Sequence, residues 1–330
     1  MIVVNPSVSL VGANVKPYDL LKHVELCGRV CYKSENRITD DSAGKFIANV
    51  IKRGHEAVIE HGRITMELIN VHSIALFERI SNAFIWTGNE DYLVKDKVMF
   101  DETPLMTHGI IISGNIRAWR VLAKFALDRR YEIPREILRM MHDNAPFFPE
   151  FSTWDYGSDY FRNTVKSPDS YADTAIRQRH SWYTLRFVCD RGISHEIVRH
   201  RPASYCQEST RYCNYSKGDF NGQITVIQPC FLEPGTLSYQ HWEDACKTAE
   251  AAYFDLLNDG CTPQQARDVL PNSLKTELVM TATGQEWLHF LNLRTAEAAH
   301  PQMREVATQV KEILRKNDPE VFSDESIRNA

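Results

Sequence analysis

The chain has no run of apolar residues approaching the roughly 20 that a helix needs to cross a bilayer, which excludes a membrane-spanning helix bundle. It has no CxxC pair, although eight cysteines are present: Cys27, Cys31, Cys189, Cys206, Cys213, Cys230, Cys246 and Cys261. A structural zinc site is therefore not expected, and the thiols read as reduced, mostly buried apolar side chains. It lacks a strand–GxGxxG–helix unit and a GxxxxGK[ST] loop, so neither a dinucleotide fold nor a P-loop is supported. It also lacks a basic excess: 38 Lys and Arg stand against 43 Asp and Glu, a net charge of -5. Proteins that coat nucleic acid are usually basic or carry a basic tail. The opening "MIVVNPSVSL" has no charged region followed by a long apolar stretch, so no signal peptide is expected and a cytoplasmic location is.

What the 330 residues do contain is a balance of 43% hydrophobic and 25% charged residues, enough for a sizeable core. "PYDLLKHVELCGRVCYKS" puts Leu20, Val24, Cys27 and Cys31 on one helical stripe. "DDSAGKFIANVIKRG" reads as a second helix that stops at Gly54. "RITMELINV" and "WYTLRFVCD" alternate as strands, and "QITVIQP" and "TELVMTA" also read as strands. Helices are expected over "RGISHEIVRH", residues 238–259, "TPQQARDVL", "GQEWLHFLNLR" and "HPQMREVATQVKEILRK". "HGIIISGNIRAWRVLAKFAL" reads as strand, Ser-Gly-Asn turn and helix. Residues 86–106 and 144–180 read as loop, and the charged C-terminal "RKNDPEVFSDESIRNA" as a fraying end. The fold class is α+β, with a mixed or antiparallel central sheet flanked by helices and a large insertion in the middle of the chain.

One stretch, "RHRPASYCQESTR", crowds Arg199, His200, Arg201 and Arg211 into 13 residues with Ser204, Gln207 and Ser209. Arg201 precedes a proline, so the helix before it should end near His200. Cations at a helix C-terminus gain about 0.3–1 kcal/mol each. Two cations about 6 Å apart repel by about 3 kcal/mol at an effective dielectric of 20. If the arginines converge, something more negative than a helix end should face them, and a phosphate or pyrophosphate matches the guanidinium fork. If the following loop is extended, Gln207, Ser209 and Arg211 point the same way, and that row can read a base and hold its phosphate.

The pattern RHR, seven residues, then Ser resembles the signature of the flavin-dependent thymidylate synthases, and its flanks "DRGISHEIVRHR" and "TRYCNYS" are similar to the same family. "GHEAVIEH", "ARDVLPNSLKTEL" and "FLNLRTAEAAHPQMREVA" resemble three further family segments. The likeness covers the first 60 residues and about 180–316. The resemblance implies one family domain over 1–330, with 62–180 an insertion within it. It implies reductive methylation of dUMP to dTMP, with methylenetetrahydrofolate giving the carbon, NADPH the electrons and bound FAD relaying hydride. It implies a homotetramer with shared active sites, small-molecule partners and no nucleic acid or membrane partner.

Carried over by motif, His55, Glu60, Arg199, His200, Arg201 and His289 are assigned to the cofactor. Glu196, Gln207, Ser209, Arg211, Arg267 and Arg294 are assigned to dUMP. Arg294, Ser209 and Arg199 form the catalytic set: Arg294 polarises the pyrimidine edge, Arg199 also reaches the nucleotide, and Ser209 positions substrate, since no adjacent base activates it. No metal is expected: His55 and His61 are six apart and do not form an HExxH pair. Departures from the family pattern fall at Cys31, Thr283, Gln285 and His289, which puts flavin contacts there in question. Asn115 and Arg117 of "SGNIRAW" are candidates to replace them. Other readings stay open: a nucleotide-binding relative with altered or lost activity, a phosphate-reading nucleic-acid binder, or a metal-dependent hydrolase using His55, Glu56, Glu60 and His61. Trp119, Trp182 and Trp287 read as core.

Overall fold

The computed structural model describes residues 1–69, 82, 93–100, 107–129, 162–165, 167–217, 220 and 222–330. In chain order the elements are β1 (Ile2–Val4), β2 (Ser7–Ala13), α1 (Leu20–Val30), α2 (Ser42–Lys52), β3 (Arg63–Ile69), β4 (Leu93–Phe100), β5 (Thr107–Asn115), α3 (Ile116–Arg129), β6 (Arg162–Val165) and α4 (Thr174–His180). There follow β7 (Trp182–Asp190), α5 (Arg191–Ile197), β8 (Ser204–Gln207), β9 (Thr225–Ile227), α6 (Leu237–Asn258), α7 (Pro263–Ala266), β10 (Lys275–Thr283), α8 (Gly284–Arg294), α9 (Pro301–Asn317) and α10 (Asp324–Arg328). The result is the expected α+β class, with antiparallel pairing and flanking helices. Among the described residues no helix is long and apolar enough to cross a membrane.

The chain divides into two compact units. The first comprises Met1–Val11, Leu26–Arg37 and Thr184–Ala330. Its sheet runs β2-β7-β10-β8, and β1 pairs in parallel with β9. Eight of the nine β10 residues are buried, so both faces of that strand are covered. Buried hydroxyls that face each other must pair, and the Thr184 and Thr281 hydroxyls do so at 2.7 Å. β10 runs straight into α8 because the Thr283 side chain accepts from the Glu286 amide and caps the helix. α8 then buries Trp287 and Phe290 against Phe187. α9 turns Met303, Val306, Ala307, Val310 and Leu314 inward at helical spacing. The C-terminal segment does not fray. Val321 and Phe322 are fully buried, Ser323 caps α10, and Asp324 pairs with Lys311 and Arg315.

The second unit comprises Gly12–Glu25 and Ile38–Tyr183. Its sheet runs β4-β5-β3-β6, every neighbour antiparallel. Part of the stretch read as loop is therefore strand: Leu93–Phe100 pairs with β5 along its length. Its apolar residues do not alternate, and pairing rather than local preference makes the strand. The Ser-Gly-Asn segment is the end of β5, not a turn, because Gly114 and Asn115 still pair with Ile64 and Arg63. Within the stretch 144–180, Arg162–Val165 is strand and Thr174–His180 helix, while 144–161 lies outside the described residues, as do 86–92 and 101–106. A buried chain ties α4 to the sheet: Ser113 Oγ lies 2.8 Å from His180 Nδ1, and His180 Nε2 lies 2.8 Å from Asp96. Trp119 and Trp182 are buried in this unit, as expected.

Candidate functional site

α5 starts abruptly because the Asp190 side chain accepts from the Ile193 amide at 2.8 Å. It ends at Ile197, and the chain turns with His200 N–H donating to the Ile197 carbonyl. The Tyr205 phenol donates to the carbonyls of Ile197 (3.0 Å) and His200 (2.7 Å). Two carbonyls at this helix end are thus met by a phenol, not by the neighbouring arginines. Arg199 and Arg201 are exposed and have no carboxylate partner among the described residues. A basic helix cap does not account for them.

His200 points the other way, buried against Phe290 with ring centroids 4.9 Å apart. Its Nε2 accepts from Arg294 Nε at 2.8 Å. That bond requires an unprotonated Nε2. Burial, then the neighbouring Arg294 and His289 side chains, bring the imidazole down to about 4, so it is neutral at pH 7. Arg294, the last residue of α8, is held from a second side by Glu196: Nη1 meets the carboxylate at 2.8 Å and Nη2 the Glu196 carbonyl at 3.3 Å. His289 is exposed on the same helix, its ring 6.1 Å from that of His200. Gln207, at the end of β8, donates from Nε2 to Ser194 Oγ (2.9 Å) and Thr276 Oγ1 (3.2 Å).

The extended row does not continue. After Glu208 the chain turns, with Tyr212 and Cys213 amides donating to the Ser209 carbonyl. Arg211 is exposed beside the Tyr212 ring and is out of line with Gln207. Among the described residues the Ser209 hydroxyl meets only the Arg211 amide, at 3.4 Å, so no base activates it. Arg267 reaches Thr210 Oγ1 at 3.4 Å. The structure thus brings together Glu196, His200, Arg294 and His289, and leaves Arg199, Arg201 and Arg211 outward.

His55 and Glu60 belong to the second unit. They sit on a short 3-10 helix, Glu56–His61, with His55 exposed at its start and Glu60 buried. Arg117 Nη1 donates to Glu60 Oε1 at 2.6 Å, and Arg120 lies 3.3 Å from Glu56. Asn115 is committed elsewhere: its Oδ1 accepts from the Ala118 amide and caps α3. Thr283 is likewise committed as a helix cap, and Gln285 is exposed and neutral. Among the described residues no group of three His, Cys, Asp or Glu side chains is placed to share a metal ion.

One feature of the first unit had no signal in the motifs. Glu277 on β10 and Glu208 beside it are buried, with Lys33, Lys275 and Arg186 gathered on them. Burial opposes the Glu277 charge, but Lys275 and Lys33 outweigh it and bring the carboxyl to about 2. Burial likewise opposes the Lys275 charge, yet Glu208 and Glu277 hold its ammonium above the ordinary value. Lys33 sits at φ +47°, in the left-handed region. These lysines floor a 660 Å³ cleft that also takes in Tyr32, Arg37, Tyr212 and Lys217. The only sequence trace is the i, i+2 pair Lys275 and Glu277 on one face of a strand.

Comparison with known proteins places these features. Residues 17–82 and 176–320 match the family described as thymidylate synthase complementing protein. The chain is similar to the flavin-dependent thymidylate synthase of Geobacter sulfurreducens, 35% identical over 139 residues, which is 41% of this chain and 56% of that one. It is 33% identical over 140 residues to the enzyme of the same name from Pyrococcus furiosus, covering 42% of this chain and 57% of that one. The chain therefore spans little more than half the length of these relatives. A crystal structure of the UMP/dUMP methylase PolB from Streptomyces cacaoi, bound with 5-Br UMP, overlaps at a TM-score of 0.38 with 22% identity, covering 45% of this chain and 74% of that one. That overlap is too low to define a shared fold. The family match takes in nearly two thirds of the residues, including the RHR turn, Gln207, Arg267 and Arg294, and on it this chain belongs to the thymidylate synthase complementing protein family.

Proposed function

We propose that the protein reductively methylates dUMP to dTMP, using methylenetetrahydrofolate as carbon donor, NADPH as reductant and FAD as bound cofactor. The observation that carries the reading is the RHR turn. It presents two exposed guanidiniums without carboxylate partners among the described residues, beside a buried neutral imidazole. Exposed arginines in this arrangement suit the phosphates of a nucleotide or dinucleotide. The turn therefore fits FAD, with Arg199, His200, Arg201 and His289 its candidate contacts in the first unit; His55 and Glu60 of the second unit are proposed for the same cofactor. When bound, the flavin supplies the hydride chemistry.

The chain's own residues bind and polarise. Arg294 is oriented by Glu196 and His200 before substrate arrives, so its charge is preorganised at the pyrimidine edge, where negative charge develops as the ring is attacked. Glu196 acts on dUMP through Arg294 as well as by contact. Gln207, locked by Ser194 and Thr276, presents a fixed amide to the base. Ser209, Arg211 and Arg267 bind the phosphate end, and Arg199 is shared between the nucleotide and the flavin. Residues 62–180 are read as an insertion in one family domain, and the active unit as a homotetramer with shared sites. The commitment of Thr283 to a cap and the neutrality of Gln285 favour one second reading, a nucleotide-binding relative with altered chemistry. Titration of the purified protein with FAD, with and without dUMP, followed by visible absorbance, tests the assignment. Saturable flavin binding that dUMP perturbs supports it. A protein that stays colourless at saturating FAD contradicts it.

A further inference from the structure

Arg117 lies outside both segments that match the family, which end at residue 82 and resume at 176. Its side chain nevertheless reaches the motif inside the first of them. We propose that Arg117 is a positioning residue that fixes the Glu60 carboxylate for FAD, an inference that rests on the flavin reading above.

The backbone makes this placement a rigid one. β5 pairs with β3 to its last residue, Asn115 opposite Arg63. The Ile116 amide donates to the Gly62 carbonyl at 2.8 Å, and Asn115 caps the helix that follows. Gly62 allows this close approach: a Cβ there would lie 3.0 Å from both Ile116 Cγ1 and Val24 Cγ2. The first turn of α3 is thus stitched to the chain immediately after the motif, and Arg117 leaves it beside Glu60. Arg120, one turn on along the same face, takes Glu56. Two carboxylates of the motif are matched by two arginines from outside it.

The asymmetry of exposure separates positioning from simple packing. The Glu60 side chain is 10% exposed, while that of Arg117 is 46% exposed. A carboxylate buried to that degree needs a hydrogen-bonding partner to hold its orientation. A partner needed for packing alone would be buried with it. The Arg117 side chain stays nearly half exposed, open to a ligand as well as to Glu60.

The test is the dissociation constant of FAD for the full-length protein, measured by flavin fluorescence without turnover, for Arg117→Ala, Arg117→Lys, Glu60→Gln and the Arg117→Ala/Glu60→Gln double variant. Circular dichroism checks that each is folded. Arg117→Ala and Glu60→Gln are each expected to weaken FAD binding about tenfold, the double variant no further, and Arg117→Lys to recover most of the loss. Should Glu60→Gln weaken binding while a folded Arg117→Ala does not, the positioning role is overturned and the flavin role of Glu60 stands. Should FAD bind all four variants as it binds the unaltered protein, the assignment of Glu60 to the flavin fails and the inference with it. If Arg117→Ala does not fold, normal FAD binding by both Arg117→Lys and Glu60→Gln overturns the inference equally.

Discussion

Arg294 Nε donates to His200 Nε2 across 2.8 Å, joining the last residue of α8 to the turn that ends α5. The acceptor role fixes the imidazole's proton on Nδ1 and keeps the ring neutral. It also makes the guanidinium's orientation depend on a residue 94 positions away in the chain.

That neutrality has a pH consequence. His200 and His23 are both buried and both brought from 6.5 to about 4, burial being the leading cause in each case. The unfolded chain binds protons at these histidines below about 6.5, and the folded chain does not until about 4. Their contribution to stability is therefore complete above pH 6.5 and is lost as pH falls from 6.5 to 4. Urea midpoints measured from pH 7.5 down to 4.5 are expected to fall through that window, and less steeply in His200→Phe.

Removing the preorganised charge should act on the chemical step. Arg294→Ala is expected to lower kcat for dTMP formation by about 100-fold or more, the scale of a lost electrostatic contact to a transition state. Arg294→Lys should recover little, because an ammonium cannot meet Glu196 and His200 together. Steady-state kinetics on both variants checks this.

Ser209→Ala separates positioning from covalent chemistry. Among the described residues the hydroxyl has no base beside it, so the expected result is weaker dUMP binding with residual turnover. Normal dUMP binding with complete loss of turnover, measured by isothermal titration and product assay, would assign it a nucleophilic role instead.

The buried charge cluster should be a stability determinant. Lys275→Met leaves Glu208 and Glu277 with one cation fewer in a buried setting, a change that typically costs about 3–5 kcal/mol. Chemical denaturation is expected to show a loss of that order, with the slope unchanged.

Much of the first unit was legible because its elements carry local signals. Gly54 and Gly260 end α2 and α6 at positive φ, and Thr262 with Pro263 opens α7. The site was legible through chemistry that local sequence concentrates: the RHR turn and the arginine ending "FLNLR". What was missed depends on partners distant in sequence. Leu93–Phe100 is a strand only because β5 pairs with it. The row from Gln207 to Arg211 breaks at a turn held by the Ser209 carbonyl. Val321 and Phe322 anchor an end whose charge suggested fraying, and no single window shows that Arg117 meets Glu60 or that Lys33 meets Glu277.

Incubation of the purified protein with dUMP, methylenetetrahydrofolate, NADPH and FAD, with nucleotide products read by mass spectrometry, tests the central claim most directly. The account predicts dTMP whose formation requires every component, FAD included. Unchanged dUMP from a protein that carries bound FAD would contradict it.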